Sequence, residues 1–265
     1  FLGRGEISFR VVVRGDSIIG TAFYVMEFVQ GTVFWDPALP ELQKAQRTKL
    51  YDEQNRALAA LHSVDPAKVG LADFGKAGSY FARQRDRWTK QYRASETENQ
   101  PDMEHLITWL VENEPADDGR VSLVHGDYRI DNMIFAPEEA KVIAVLDWEL
   151  STLGDPLSDF TYVAMAWVTD NGGRSGVQDL DRKALGIPEL DEMVERYCAA
   201  TGRDGVPDMN WYFAYNFFRL AGIMQGIKKR VIDGTANSAH AKTMSERVSP
   251  LADVAWSFAE KAGAK

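Results

Sequence analysis

The sequence predicts an α+β fold, and three observations predict it. Residues 20–29, Gly-Thr-Ala-Phe-Tyr-Val-Met-Glu-Phe-Val, are rich in β-branched and aromatic side chains and end near Gly31, the pattern of a strand. Two short apolar runs, 133–135 and 142–146, flank the turn-rich Ala136-Pro-Glu-Glu-Ala140 and make a hairpin. The rest of the chain carries apolar residues at helical spacing in six or seven segments. A strand pair, a hairpin and a majority of helices segregate as an α+β architecture does.

Each helix has its own signals. In 41–63, Leu42, Ala45, Leu50, Ala57, Leu58 and Leu61 recur at a rough 3.6 period between charges, and His62 lies near the end as a structural or capping residue. Segment 80–94 is a second helix with a basic face made by Arg83, Arg87, Lys90 and Arg93. Pro101 suits the first turn of a third helix, where Asp102 and Glu104 complement the helix dipole. Residues 153–160, Leu-Gly-Asp-Pro-Leu-Ser-Asp-Phe, read as a turn starting a helix through Trp167. Helices follow over 190–201 and over the apolar stretch 211–230, which belongs in the core and ends in Lys228-Lys229-Arg230. The last, 241–259, is amphipathic with a break expected at Pro250.

Composition removes several function classes. The 265 residues suffice for a sizeable core, and a net charge of −9 argues against a nucleic-acid partner. No apolar run has the length of a membrane span, so no membrane partner is expected. Phe1 opens no basic-then-apolar leader, and the single Cys198 supports neither a disulfide framework nor a cysteine metal site. A reducing, cytoplasmic compartment is the expectation.

The chemistry concentrates in Leu123-Val-His-Gly-Asp-Tyr-Arg-Ile-Asp-Asn-Met-Ile-Phe135 and Val145-Leu-Asp-Trp-Glu149. The hairpin brings Asp127 and Asn132, on the loop before it, close to Asp147, just after it. One carboxylate and one amide are oxygen ligands of the kind Mg²⁺ takes, with its remaining ligands drawn from water and substrate phosphates. A second, uncommitted carboxylate can accept a proton from a hydroxyl nucleophile. Base, metal-binding Asn and metal-binding Asp in this order form the constellation of phosphoryl transfer from ATP.

The spacing resembles the His-Arg-Asp-x-x-x-x-Asn catalytic loop of protein kinases. Its His125-Gly126-Asp127 form, with Leu146-Asp147-Trp148-Glu149 and Gly154-Asp-Pro-Leu-Ser-Asp159, resembles the aminoglycoside phosphotransferase-like small-molecule kinases. Within these, 19–28, 90–95 and 145–156 are most similar to the kinase domains fused to acyl-CoA dehydrogenases. The resemblance implies a protein-kinase-like, bilobal fold with a mainly helical C-terminal lobe. It implies an ATP- and Mg²⁺-dependent enzyme phosphorylating a hydroxyl of a small molecule, either a hydroxyacyl compound or its CoA thioester, or else an aminoglycoside or amino alcohol. It assigns Asp127 as catalytic base, Asn132 and Asp147 as Mg²⁺ ligands, and His125 and Asp159 as supports of the loop. Glu27, Phe28 and Val29 match the hinge, whose backbone would bind adenine. Arg129 and Asp131 are substrate or loop contacts, and Glu149 either assists the metal or faces solvent. Arg83 and Arg87 would suit an anionic substrate.

The N-terminal lobe is truncated or incompletely present. Residues 1–30 read as its remnant with the hinge, and 31–265 as the catalytic and substrate-binding lobe. Residues 1–30 contain no Lys to grip the phosphates, only Arg4, Arg10 and Arg14. Gly3-Arg-Gly5 reads as a surface turn, Val11-Val12-Val13 as a strand and Glu6 as a residual helix Glu. Three explanations compete: a pseudokinase that binds nucleotide without turnover, a chain cut short, or a sequence whose N-terminal pieces are joined across omitted residues. The last is the expectation, and it requires Cα jumps beyond about 3.8 Å before Asp16.

Overall fold

The computed structural model describes residues 14–15, 20–21, 23–24, 28–76, 78–172, 175–236 and 240–265. Gly3, Glu6, the Val11–13 run, Glu27 and the stretch before Arg14, where jumps are expected, fall outside them. Of the 20–29 strand, Phe23–Tyr24 (β2) pairs antiparallel with Arg14–Gly15 (β1), while Gly20 and Thr21 form a bend.

The helical lobe is built on α7 (Met209–Ile232), the long apolar helix. Trp211, Phe213, Ala214, Phe217, Phe218 and Ala221 are all buried along it. It packs on α2 (Tyr80–Ser95), α3 (Pro101–Glu112), α4 (Leu157–Ala164) and α9 (Val248–Lys261). Phe81 meets Trp211, Tyr212 and Tyr215 edge-on at 5.2–5.4 Å, the favourable aromatic geometry. The third helix starts with Pro101 at its first position, where a missing N–H costs nothing.

Helix α1 (Lys44–His62) lies on α6 (Leu190–Thr201) and touches the short α5 (Arg182–Leu185). Gly202, at φ 64, ends α6 in the left-handed conformation that glycine takes without strain. The C-terminal pattern is two helices, α8 (Ala241–Ser245) and α9. The break falls at Glu246–Arg247, ahead of Pro250, which sits in the first turn of α9 where its lack of an N–H leaves no intrahelical bond unmade.

Two strand pairs carry the site. β4 (Met133–Phe135) and β5 (Val142–Val145) are the expected hairpin, with a register shift at Ile134/Phe135. β3 (Ser122–Val124) pairs antiparallel with β6 (Thr152–Gly154), so residues read as a turn are a strand. The chain after the expected hinge also joins: Thr32 and Phe135 exchange both backbone hydrogen bonds at 2.9 Å. Gly31 makes this approach possible, since a Cβ there would lie 2.4 Å from Ile134 Cγ2.

Candidate active site

The loop between β3 and β4 is held through its backbone by a side chain of α4. Asp159, buried in the first turn of α4, accepts from His125 N at 2.6 Å through Oδ2 and from Gly126 N at 2.8 Å through Oδ1. A carboxylate satisfied by two N–H groups is a stable buried arrangement. His62 Nε2 stands 3.3 Å from Asp159 Oδ2, and its Nδ1 lies 2.7 Å from the Tyr197 hydroxyl. His62 thus connects α6, through Asp159, to the loop.

His125 is fully buried, with Nε2 2.7 Å from Leu146 O and Nδ1 3.2 Å from Asp127 N. One nitrogen must donate to a carbonyl and the other accept from an amide, which fixes the neutral imidazole in one tautomer. Both nitrogens are committed to backbone, so His125 supports the loop. Tyr128, also fully buried, donates to Gln54 O at 3.0 Å and ties the loop to α1.

Asp127 projects from this scaffold. Asn132 Nδ2 donates to Asp127 O at 2.9 Å and to its Oδ2 at 3.1 Å, closing the five-residue loop. With both amide hydrogens turned to Asp127, Asn132 Oδ1 faces away as an acceptor. Arg129 Nε lies 3.4 Å from Asp127 Oδ1, and its Nη2 lies 3.0 Å from Asp131 Oδ2. Burial pushes the Tyr162 phenol up to about 12; Arg219 opposes the rise and the nearby Asp127 adds to it.

Asp147 follows β5 in the left-handed conformation, φ 65 and ψ 56, and is exposed. Leu146 N donates to Asn132 O at 2.8 Å, so the two expected oxygen ligands, Asn132 and Asp147, leave adjacent points at the base of the hairpin. Among the described residues no cluster of three His, Cys, Asp or Glu makes a ready-formed metal cage. One carboxylate and one amide oxygen fit Mg²⁺ that keeps waters and takes substrate phosphates, and fit a cage-bound metal poorly.

The remaining expected site residues are more dispersed. Glu149 is exposed, just beyond Asp147. Phe28 is 89% exposed and Val29 is half-buried. Arg83 donates to Lys76 O at 2.6 Å and to Gly78 O, which fastens the loop before α2. Arg87 is exposed, its guanidinium 5.2 Å from the Trp88 ring.

Sequence reasoning missed Arg219. From α7 it donates Nη2 to Gly126 O at 2.6 Å, with its guanidinium 5.3 Å from the Trp88 ring and 4.9 Å from Tyr162. The available signal was a lone cation in the apolar run Phe217-Phe218-Arg219-Leu220.

A protein-kinase-like helical lobe with an Asp–Asn loop and a following Asp defines a small-molecule kinase architecture. The chain belongs to the phosphotransferase enzyme family, whose pattern matches residues 9–211. It is 46% identical over 249 residues to mouse acyl-CoA dehydrogenase family member 10, covering 93% of this chain. The chain spans 23% of that relative's length. A Ralstonia eutropha protein named as a candidate aminoglycoside phosphotransferase is 51% identical, with a TM-score of 0.89 over 93% of this chain and 75% of that one. The aminoglycoside phosphotransferase APH(4)-Ia, in a ternary complex with ADP and hygromycin B, is 12% identical with a TM-score of 0.55 over 97% of this chain and 78% of that one, a likeness of fold alone.

Proposed function

We propose that this chain transfers the γ-phosphoryl group of ATP to a hydroxyl of a small molecule. The observation that carries the reading is Asn132 bonded to both the backbone and the carboxylate of Asp127, beside Asp147. Asp127 orients the acceptor hydroxyl and takes its proton. Asn132 Oδ1 and the Asp147 carboxylate would hold Mg²⁺, which would supply positive charge against that developing on the transferred phosphoryl group. The backbone at Glu27 and Val29 would bind adenine. The ADP complex of APH(4)-Ia supports nucleotide use by the fold.

The acceptor we favour is an anionic hydroxyacyl compound or its CoA thioester. Similarity to an acyl-CoA dehydrogenase family member supports it. So does the charge near Asp127, with half-exposed Arg129 against its carboxylate and Arg87 on Trp88, the ring that also meets Arg219. An amino sugar or amino alcohol is the second reading, supported by the net charge of −9.

The test incubates purified full-length protein and Asp127→Asn with Mg·ATP and each of hydroxybutyryl-CoA, the free hydroxy acid and kanamycin. The expected result is phosphate transfer to the first, lowered in the variant by about 10²–10⁴-fold. Preferential transfer to kanamycin supports the second reading. Equal, slow ATP loss in wild type and variant would leave a nucleotide-binding module without turnover.

A further inference from the structure

Gly126 is gripped at both of its polar ends by buried ionic side chains of opposite sign. Its N–H donates to Asp159 Oδ1 at 2.8 Å, and its carbonyl accepts from Arg219 Nη2 at 2.6 Å. Its backbone is left-handed, φ 85, and a Cβ there would meet Leu150 O at 2.7 Å, so only glycine fits between the two grips. The carbonyl held by Arg219 belongs to the peptide that leads into Asp127.

Arg219 itself is buried, and among the described residues its Nε has no hydrogen-bond partner. A buried guanidinium with an unused donor costs stability, more than one backbone carbonyl returns. The aromatic faces of Trp88 and Tyr162 offset part of that cost. Tyr162 also lies near enough to Asp127 for the carboxylate to raise its phenol, so Arg219 borders the base's surroundings through both the backbone and a ring.

Resting on the phosphotransferase reading, we propose that Arg219 is a positioning residue: by holding the Gly126 carbonyl and backing Tyr162, it aims the Asp127 carboxylate at the acceptor hydroxyl. Misplacing a catalytic group by about 1 Å costs on the order of 10² in rate. A structural anchor of α7 alone would lower stability without that loss.

The test compares wild type, Arg219→Met and Arg219→Lys by three readouts: ADP release from Mg·ATP with hydroxybutyryl-CoA, hydrogen exchange of residues 123–128, and thermal midpoint. For Arg219→Met the expected result is a fall in kcat of about 10²-fold with KM for ATP within about twofold, and faster exchange confined to the loop. Arg219→Lys, which keeps a donor and a charge, recovers about tenfold of the loss. Unchanged kcat with a lowered midpoint overturns the proposal, and so does a raised KM with unchanged kcat. Should Arg219→Met not fold, Arg219→Lys decides by the same criteria, a several-fold kcat loss at unchanged KM standing as support. A wild type without phosphate transfer sinks the phosphotransferase reading. The exchange readout then decides separately whether Arg219 holds the loop, and unchanged protection of 123–128 overturns it.

Discussion

The loop before β4 and the turn after β5 face the same site and are built on opposite principles. Before β4, backbone and side chains alike are held by the surrounding fold: Asp159 below the His125 and Gly126 N–H groups, Arg219 on the Gly126 carbonyl, Leu146 O on the His125 ring, Gln54 O on the Tyr128 hydroxyl. After β5, Asp147 sits exposed at a positive φ unusual for a non-glycine residue. The difference fits the proposed roles. A group that accepts a proton must be aimed before the acceptor arrives, because misorientation is costly. A ligand to a hydrated ion is organised by the ion itself.

The largest break in this comparison comes from Asp159→Ala. It strands two buried N–H groups and one face of His62, and we expect a loss of about 3–5 kcal/mol in urea unfolding. Loss of under about 1 kcal/mol would mean that the loop is held elsewhere.

Asp155 supplies a control of opposite sign, one helical turn before Asp159. It is also well covered, yet among the described residues its carboxyl accepts a hydrogen bond from Leu157 N alone, at 2.8 Å, with Arg203 Nη2 at 4.0 Å. Burial pushes its carboxyl up from 3.8 to about 6, against the pull of the Leu157 N–H and Arg203. The folded protein therefore holds this proton more tightly than the unfolded chain between about pH 4 and 6. The benefit to folding is present below that window and lost as pH rises through it. Asp155→Asn removes the loss, so its stability relative to wild type should rise by about 1–3 kcal/mol across the window in urea titrations at stepped pH. A flat difference would refute the assignment.

The smallest stability effect belongs to the far side of the hairpin. Asp147→Gly relieves a left-handed residue, so unfolding should shift by no more than about 1 kcal/mol in either direction. The Mg²⁺ concentration for half-maximal turnover should nonetheless rise at least about tenfold, since the only charged ligand proposed for the ion is gone. Unaltered Mg²⁺ dependence would remove Asp147 from that role.

Much of the fold was legible in local pattern. Helix α6 spans the 190–201 expected of it, and the hairpin follows from two apolar runs about a turn. What escaped depends on partners distant in sequence. Thr152-Leu153-Gly154 lies beside Gly-Asp-Pro, a turn signal, and becomes a strand only because Ser122–Val124 lies opposite. His62 ends a helix in sequence and meets Asp159 and Tyr197 only in space. Arg219 looked like one polar position on a core helix, and its purpose depends on a carbonyl 93 residues away.

The bridge between Thr32 and Phe135 has a mechanical consequence. The strand that starts at Asn132's shoulder is also the strand to which the chain leaving the proposed hinge is stitched. Asn132 lies three strand residues from that stitch, roughly 10 Å. A rotation of about 10° pivoting there would carry Asn132 less than roughly 2 Å, while a point three times as far out on the nucleotide side would swing three times as much. With Asn132 and Asp147 as the proposed metal ligands, a hinge movement about this stitch would be spent on the cleft and would leave the proposed reacting groups nearly still.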